Sequence, residues 1–169
     1  MYRRTTREVP LGAVPPSIAA ALAKHAGDHQ LTLDAARARV WHTHSENPPA
    51  DGFWGKLFGT RANSVDPDAQ HDSVLVLHPT HLLVATSGEK RTSVLSLALL
   101  SASITRGSVV AAKFGVEVPG ANDGITITGF PGEIGRPGSY FFGLGGDAAG
   151  AECARAVETA VTAAKNPAR

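Results

Sequence analysis

The chain has 169 residues, of which 16 are Lys or Arg and 15 are Asp or Glu, so its formal net charge is +1 at pH 7. This length suits one domain with a substantial hydrophobic core. A charge so close to zero, with no local run of basic residues, argues against strong electrostatic attraction to nucleic acid or anionic lipid. The single cysteine, Cys153, excludes an internal disulfide, and no apolar run is long enough to span a membrane. We therefore expect a soluble, cytoplasmic protein.

The first element that the sequence predicts is a helix beginning at Pro15-Pro16, after a start that we expect to be mobile. Gly27 is typical of a helix terminator. The apolar face of this helix repeats at helical spacing: Ile18, Leu22 and Ala26. Residues 1–30 are therefore predicted to form an N-terminal extension that carries one helix.

In residues 33–44 the apolar period changes to two, which predicts a strand, although the alanine-rich start also suits a helix. One face would carry Ala36, Ala38, Val40 and His42, and the other Arg37, Arg39, Trp41 and Thr43. Residues 45–72 are rich in Gly, Pro, Asn and Asp, and predict one long loop.

Short strands separated by turn residues are predicted for the middle of the chain. A hairpin turns at His78-Pro79-Thr80, and an apolar stretch ends at Arg106-Gly107. The predicted strands are 73–77, 82–86, 92–95, 98–105, 109–112, 114–118, 125–128 and 139–142. This spacing is typical of an antiparallel sandwich or barrel.

The end of the chain predicts a strand that turns sharply into a helix over residues 147–165. Gly143, Gly145 and Gly146 allow a tight turn, and Asp147 is a good N-cap. The core face of the helix would carry Cys153, Val157, Val161 and Ala164. The turn also fits G-x-G-x-x-A, but a dinucleotide site needs a second parallel strand after the helix, and the sequence supplies none before Arg169. We therefore interpret the turn as a helix entry.

Three passages together resemble the pleckstrin-homology-like superfamily, bacterial type: SVLVLHPTHLLVAT, VLSLALLSASITRG and GSYFFGLGGDAAGAECARAVETAV. The resemblance covers residues 33–165. It implies a mainly β domain, residues 31–166, with about seven antiparallel strands in a barrel or two orthogonal sheets and a C-terminal capping helix. The N-terminal helix would be an addition to this fold.

Two departures from that family count against inositol-phosphate recognition. The phosphoinositide-binding members carry basic residues late in the first strand and on the second. Here Arg37 and Arg39 lie early in the first predicted strand, and residues 73–77 contain no basic residue. The predicted C-terminal helix also lacks the tryptophan that is common in those members.

The long loop contains the candidate binding residues Phe53, Trp54, Lys56, Leu57, Phe58 and Arg61. In the resembled fold this loop lies at the open end of the barrel, where family members commonly bind ligands. Large aromatic side chains make good interface anchors, so the loop would dock on a partner or dip into a membrane surface. The alternative is that the aromatic rings fold back to plug the barrel end or to cover the N-terminal helix.

Two histidine pairs, His42-x-His44 and His78-x-x-His81, suggest a second kind of site. If the pairs converged, they could bind zinc or another divalent ion together with Glu46 or Asp72. The alternative is that these histidines lie on solvated surface. Nucleophilic catalysis has little support, because no serine occupies a G-x-S-x-G elbow and Cys153 is predicted to be buried in the core.

The sequence thus predicts a non-enzymatic binding or scaffold module without a cofactor or a metal. A protein partner is the first expectation, and nucleic acid is not expected. The first alternative is peripheral binding to membrane lipid or an amphiphile through residues 53–58, and the second is a metal-dependent enzyme using the histidine pairs. Self-association into a homo-oligomer, through a sheet edge or the N-terminal helix, is left open.

Overall fold

The computed structural model describes residues 3–48, 70–89, 91–107, 123–132 and 136–167. These residues form eight strands and two α-helices. In chain order the elements are β1 (Arg3–Glu8), α1 (Pro16–Asp28), β2 (Arg39–Glu46), β3 (Gln70–Leu77), β4 (His81–Ser87), β5 (Thr92–Ala98), β6 (Ser103–Arg106), β7 (Gly124–Phe130), β8 (Gly138–Gly143) and α2 (Ala148–Lys165). Neither described helix is both long and apolar enough to cross a membrane.

The strands form two antiparallel sheets. The first has the order β1-β2-β3-β4-β5 and the second the order β6-β7-β8. This confirms the mainly β class with a helix near each terminus. Both sheets are open, and the described strands close no barrel, so the barrel form of the prediction is not supported.

Strand β1 was not predicted. The segment before α1 was expected to be mobile, but it forms a strand that pairs with β2. The ladder runs from Arg3 opposite Glu46 to Glu8 opposite Trp41. Four of its six residues are charged, so it lacks the apolar alternation that marks a strand in sequence. Thr6 is its only buried residue. The strand therefore depends on pairing with β2 rather than on local propensity.

The boundaries of β2 and β3 also differ from the prediction. Asp34 Oδ1 accepts a hydrogen bond from the Ala36 amide at 2.9 Å, which stabilises a turn, so the strand begins at Arg39 and not at residue 33. Strand β2 continues to Glu46 and β3 begins at Gln70, so residues at both ends of the predicted loop 45–72 belong to strands.

The segment that leads from the first sheet to the second also differs from the prediction. The predicted strand 98–105 is interrupted by a 3₁₀ turn, Leu99–Ser101, because the chain passes here from the first sheet to the second. Strand β5 accordingly extends to Ala98. The strands predicted at 109–112 and 114–118 lie outside the described residues.

Two hydrophobic clusters lie on opposite faces of the first sheet. The larger, between this sheet, the second sheet and α2, includes Trp41, Leu75, Ile125, Phe142 and Val157. The smaller is covered by α1 and contains Val14, Ile18, Leu22, Val40, Val74, Val76, Leu83 and Ala85. Strands β3 and β4 are therefore buried on both faces, which explains why they appear in the sequence as continuous apolar runs.

Helix α2 begins where the sequence predicts. Asp147 is the N-cap, and its Oδ1 accepts a hydrogen bond from the Gly150 amide at 2.7 Å. Cys153, Val157 and Val161 are buried as expected. Desolvation raises the pKa of the Cys153 thiol to about 12, so the thiol stays protonated and unreactive at neutral pH.

The second carboxylate oxygen of Asp147 connects this helix to β1. Oδ2 accepts a hydrogen bond from the Thr6 amide at 2.8 Å. The Thr6 hydroxyl in turn accepts from the Gly145 amide at 2.8 Å and shares a hydrogen bond with the Thr43 hydroxyl at 2.8 Å. A side chain at Gly145 would collide with Asp147 Oδ2. The glycine turn thus serves as the helix entry, and its amide donates to the protein itself.

The shared carboxylate predicts a graded loss of stability. Asp147→Ala removes the acceptor for two backbone amides and should lower the free energy of unfolding by about 2 kcal/mol. Asp147→Asn keeps one acceptor oxygen and should cost about half as much. Asp34→Ala, in an exposed turn, is the control and should cost less than about 0.5 kcal/mol. Urea denaturation would measure all three, and equal effects of Asp147→Ala and Asp34→Ala would contradict this role.

A glycine at the bulge of β7 predicts a second effect. Gly129 has a φ of +130°, and a Cβ there would collide with the Ser101 carbonyl oxygen and approach Leu97. Gly129→Ala should therefore destabilise the protein by about 2 kcal/mol. Gly27→Ala is a matched control, because Gly27 lies within α1 with no atom near the added Cβ. That variant should gain about 0.5–1 kcal/mol. Thermal unfolding should show a lower Tm than that of the wild type for Gly129→Ala and a higher Tm for Gly27→Ala.

Candidate functional site

The aromatic loop predicted to bind a partner cannot be placed in the fold. Phe53, Trp54, Lys56, Leu57, Phe58 and Arg61 lie outside the described residues. The chain leaves the described part after Pro48 and returns at Gln70, between the paired ends of β2 and β3. The binding role of these six residues remains a prediction.

The first histidine pair converges on one carboxylate. His42 Nε2 lies 2.8 Å and His44 Nδ1 lies 2.9 Å from Asp72 Oδ1. All three side chains are partly exposed on neighbouring strands. Burial raises the pKa of Asp72, but the hydrogen bonds from His44 and His42 outweigh it, so the pKa is lowered. Asp72 is thus the carboxylate partner of this pair, whereas Glu46 lies 3.9 Å from His44 Nε2.

The second histidine pair lies at the other end of β3. Thr80 Oγ1 connects the two rings, at 3.0 Å from His78 Nδ1 and 2.8 Å from His81 Nδ1. Six residues of extended chain between Asp72 and His78 correspond to about 20 Å. The two pairs therefore do not form a joint metal site. Among the described residues no group of three or more His, Cys, Asp or Glu side chains is arranged to hold a metal ion.

The second pair lies near the end of α1, close enough for His29 to repel a positive charge on His81. The rings of His25 and His29 stack with centroids 4.0 Å apart, and His25 Nε2 lies 2.8 Å from Ser96 Oγ on β5. We call His25, His29, His78 and His81 the histidine cluster. His25 and His29 were not among the predicted site residues, although their i, i+4 spacing near a helix terminus was a usable signal.

The pKa values of two histidines in the cluster are lowered. Burial is the main cause for His25, with repulsion from His29 and Lys24 added and attraction by Asp28 opposing it. Burial is again the main cause for His81, followed by repulsion from His78 and His29. Asp28 offers little compensation, because it is paired with Lys24 at 2.6 Å. The surroundings of His25 and His81 therefore favour the neutral imidazole.

Among the described residues, the exposed large apolar side chains lie on β5 and just beyond its end. In the described part of the chain, the large hydrophobic side chains that are exposed are Leu95 (41%) and Leu100 (68%). Leu95 is the middle residue of β5, and Leu100 lies in the following 3₁₀ turn. Among the described strands, β5 pairs with β4 alone. Strand β5 and Leu100 together are called the β5 edge.

The β5 edge differs from the opposite edge of the same sheet. Residues 92–105 contain no charged residue and no proline, whereas β1 carries Arg3, Arg4, Arg7 and Glu8. Charges and prolines on an edge strand prevent pairing with other chains. Within the described part of the chain, β5 itself therefore carries neither of these features. This edge could not be predicted, because sheet order does not follow from local pattern.

Two cavities in the described part of the chain lack the features of a ligand-binding site. A groove of about 430 Å³ beside α1 is lined by apolar residues such as Leu11, Leu22 and Leu33, with no titratable side chain. A smaller cavity at the start of α2, of about 170 Å³, contains Arg106, whose guanidinium is engaged by Glu158 at 2.7 Å. Neither combines an apolar pocket with converging polar groups, which is the usual character of a ligand site.

The histidine cluster predicts that stability decreases on acidification. Because the pKa values of His25 and His81 are lower in the folded chain than near 6.5, the unfolded chain binds more protons as the pH falls. Their contribution is complete above pH 6.5 and is lost as the pH falls through the lowered values. Urea denaturation between pH 8 and 5 should show this decline. The double variant His25→Gln/His81→Gln should show a flatter profile, and an unchanged slope would exclude the cluster as its source.

Comparison of the chain with protein-family models, with curated proteins and with solved structures finds no match in any of the three. The functional assignment therefore depends on the geometry of the described residues.

Proposed function

We propose that this protein is a non-enzymatic protein-interaction module that binds an extended segment of a partner protein along the β5 edge. The observation that carries the proposal is an uncharged edge strand with an exposed leucine, Leu95, at its centre and a second, Leu100, just beyond its end.

Strand addition suits this edge physically. An edge strand presents unpaired N–H and C=O groups, so a bound extended segment gains main-chain hydrogen bonds. Side chains along the edge then supply selectivity. Ser93 and Leu95 are exposed on one face of β5, and Leu100 extends the apolar surface beyond the strand. A segment with apolar side chains at alternate positions would cover these leucines.

The edge is also held in place before a partner arrives. Leu97 packs in the core between the sheets, and Val94 packs against the cluster under α1. Ser96 is fixed by its contact with His25. A rigid edge loses little conformational entropy on binding, which favours affinity.

The proposal includes a pleckstrin-homology-like architecture. Strands β2–β5 and β6–β8 supply seven antiparallel strands in two sheets, and α2 follows them, which is the order in that superfamily. Strand β1 and α1 would be N-terminal additions. The related phosphotyrosine-binding domains also take peptides by strand addition, so fold and docking mode agree.

The non-enzymatic part of the proposal is supported by how the described polar side chains are used. Arg39 binds Glu8 at 2.8 Å and Glu152 at 3.1 Å, and so ties β1 to α2. Asp72 accepts from its two histidines between neighbouring strands. The shifted pKa values of Glu8, Arg39 and Asp72 thus reflect structural contacts between neighbouring elements.

The test selects short random peptides, displayed on phage, for binding to the wild-type chain. Enriched peptides should have apolar residues at alternate positions, and their affinity is measured by fluorescence anisotropy. Leu95→Lys places a charge at the centre of the edge and should weaken binding at least about tenfold. Thr5→Lys, on the exposed face of β1, is the matched control and should have less than about a twofold effect. Equal binding to both variants would overturn the proposal.

A further inference from the structure

We propose that β5 also pairs with β5 of a second copy of this chain, antiparallel and about a two-fold axis through Leu95. The two five-stranded sheets would then join into one continuous sheet. The inference rests on the proposed function in using the same docking edge, but it names the second copy as an occupant that competes with the partner protein.

Symmetric pairing requires a strand that is compatible with its own reverse, and β5 meets this condition. With Leu95 opposite its own copy, Val94 faces Ser96, Ser93 faces Leu97 and Thr92 faces Ala98. All these residues are uncharged. Because Leu95 is the midpoint of the strand, this register pairs all seven residues.

The same register covers the exposed leucines. Directly opposite residues in an antiparallel pair have Cα atoms about 4.5–5.5 Å apart, so the two copies of Leu95, each 41% exposed alone, would bury each other. Leu100 follows Ala98, which is opposite Thr92 of the second copy, so it would lie beside the start of the other strand. A single two-fold symmetric interface would thus cover Leu95 and Leu100 of both copies.

The other edge of the sheet suits this arrangement less well. Pairing β1 with its own copy about its centre would place Arg4 opposite Arg7 twice. It would also place Arg3 opposite Glu8, but Glu8 is already bound by Arg39 at 2.8 Å. Like charges directly opposite in a sheet are destabilising. The difference between the edges therefore selects β5 as the interface between copies.

The expected dimer is weak. A single pair of edge strands buries less surface than the roughly 1,200–2,000 Å² of a stable interface, so an affinity on the order of micromolar follows. A weak dimer protects the edge from aggregation while a partner segment can still displace the second copy.

Cysteine cross-linking tests the register directly. Leu95→Cys would place two thiols at a Cα separation within the range of about 4.4–6.8 Å that a disulfide accepts. Ser93→Cys is the matched control, exposed on the same strand and the same face. In the proposed register its two copies are displaced by four positions, about 13 Å along the strand. The native thiol of Cys153 is buried and does not interfere.

On mild oxidation, Leu95→Cys should form a covalent dimer readily, whereas Ser93→Cys should not. Sedimentation equilibrium should show concentration-dependent dimerisation of the wild-type chain, at least about tenfold weaker dimerisation of Leu95→Lys, and unchanged behaviour of Thr5→Lys.

Equal cross-linking of the two cysteine variants, or a wild-type chain that stays monomeric up to hundreds of micromolar, would overturn the self-pairing. If the chain is monomeric but Leu95→Lys still weakens peptide binding, the dimer is rejected and the proposed function is retained. A Leu95-dependent dimer that binds no peptide would reject the proposed function and retain the self-pairing.

Discussion

The carboxylate of Asp147 connects the two ends of the described chain. One oxygen accepts from the Gly150 amide at the start of α2, and the other accepts from the Thr6 amide in β1. A partly buried carboxylate is tolerated when donors fill its oxygens, and here both donors are backbone groups that would otherwise lack a partner. This contact holds β1 against the edge of the first sheet and places α2 over the core between the sheets. Strand β1 therefore forms one edge of the first sheet, and β5 forms the other.

The two edge strands of the first sheet, β1 and β5, differ in charge. At β1, Glu8 binds Arg39, which also contacts Glu152 on α2, so this charged residue of the edge is connected to two neighbouring elements. Such partly exposed ion pairs add little stability singly, but they keep a charged strand in place. The edge at β5 has uncharged residues and a central exposed leucine, Leu95. Among the described strands of this sheet, the charges that oppose strand addition thus lie at β1 and not at β5.

Local pattern was sufficient for the hairpin β3–β4, for the existence of both helices and for the Asp147 cap, because their signals lie within a few residues of one another. Gly27, however, does not end α1, which continues to Asp28 with His29 as its C-cap. It failed for β1, whose buried residue Thr6 is bonded to Asp147 across 141 positions of the sequence. It also failed for the β5 edge and for the meeting of His25 with Ser96, since both depend on which strands and helices become neighbours. The His42–His44 pair was recognisable because alternate strand residues share a face, and its carboxylate was among the two named.

The histidine cluster and the β5 edge belong to one structural unit. Strand β5 is held on one side by β4 and on its outer face by α1, where His25 contacts the Ser96 hydroxyl. Burial lowers the pKa of His25, so at neutral pH this contact is made by an uncharged imidazole. The ring of His29, stacked on that of His25 with centroids 4.0 Å apart, adds to the lowering of that pKa. The contact that fixes Ser96 and the burial that favours the neutral form of His25 thus have one cause, the packing of α1 against β5.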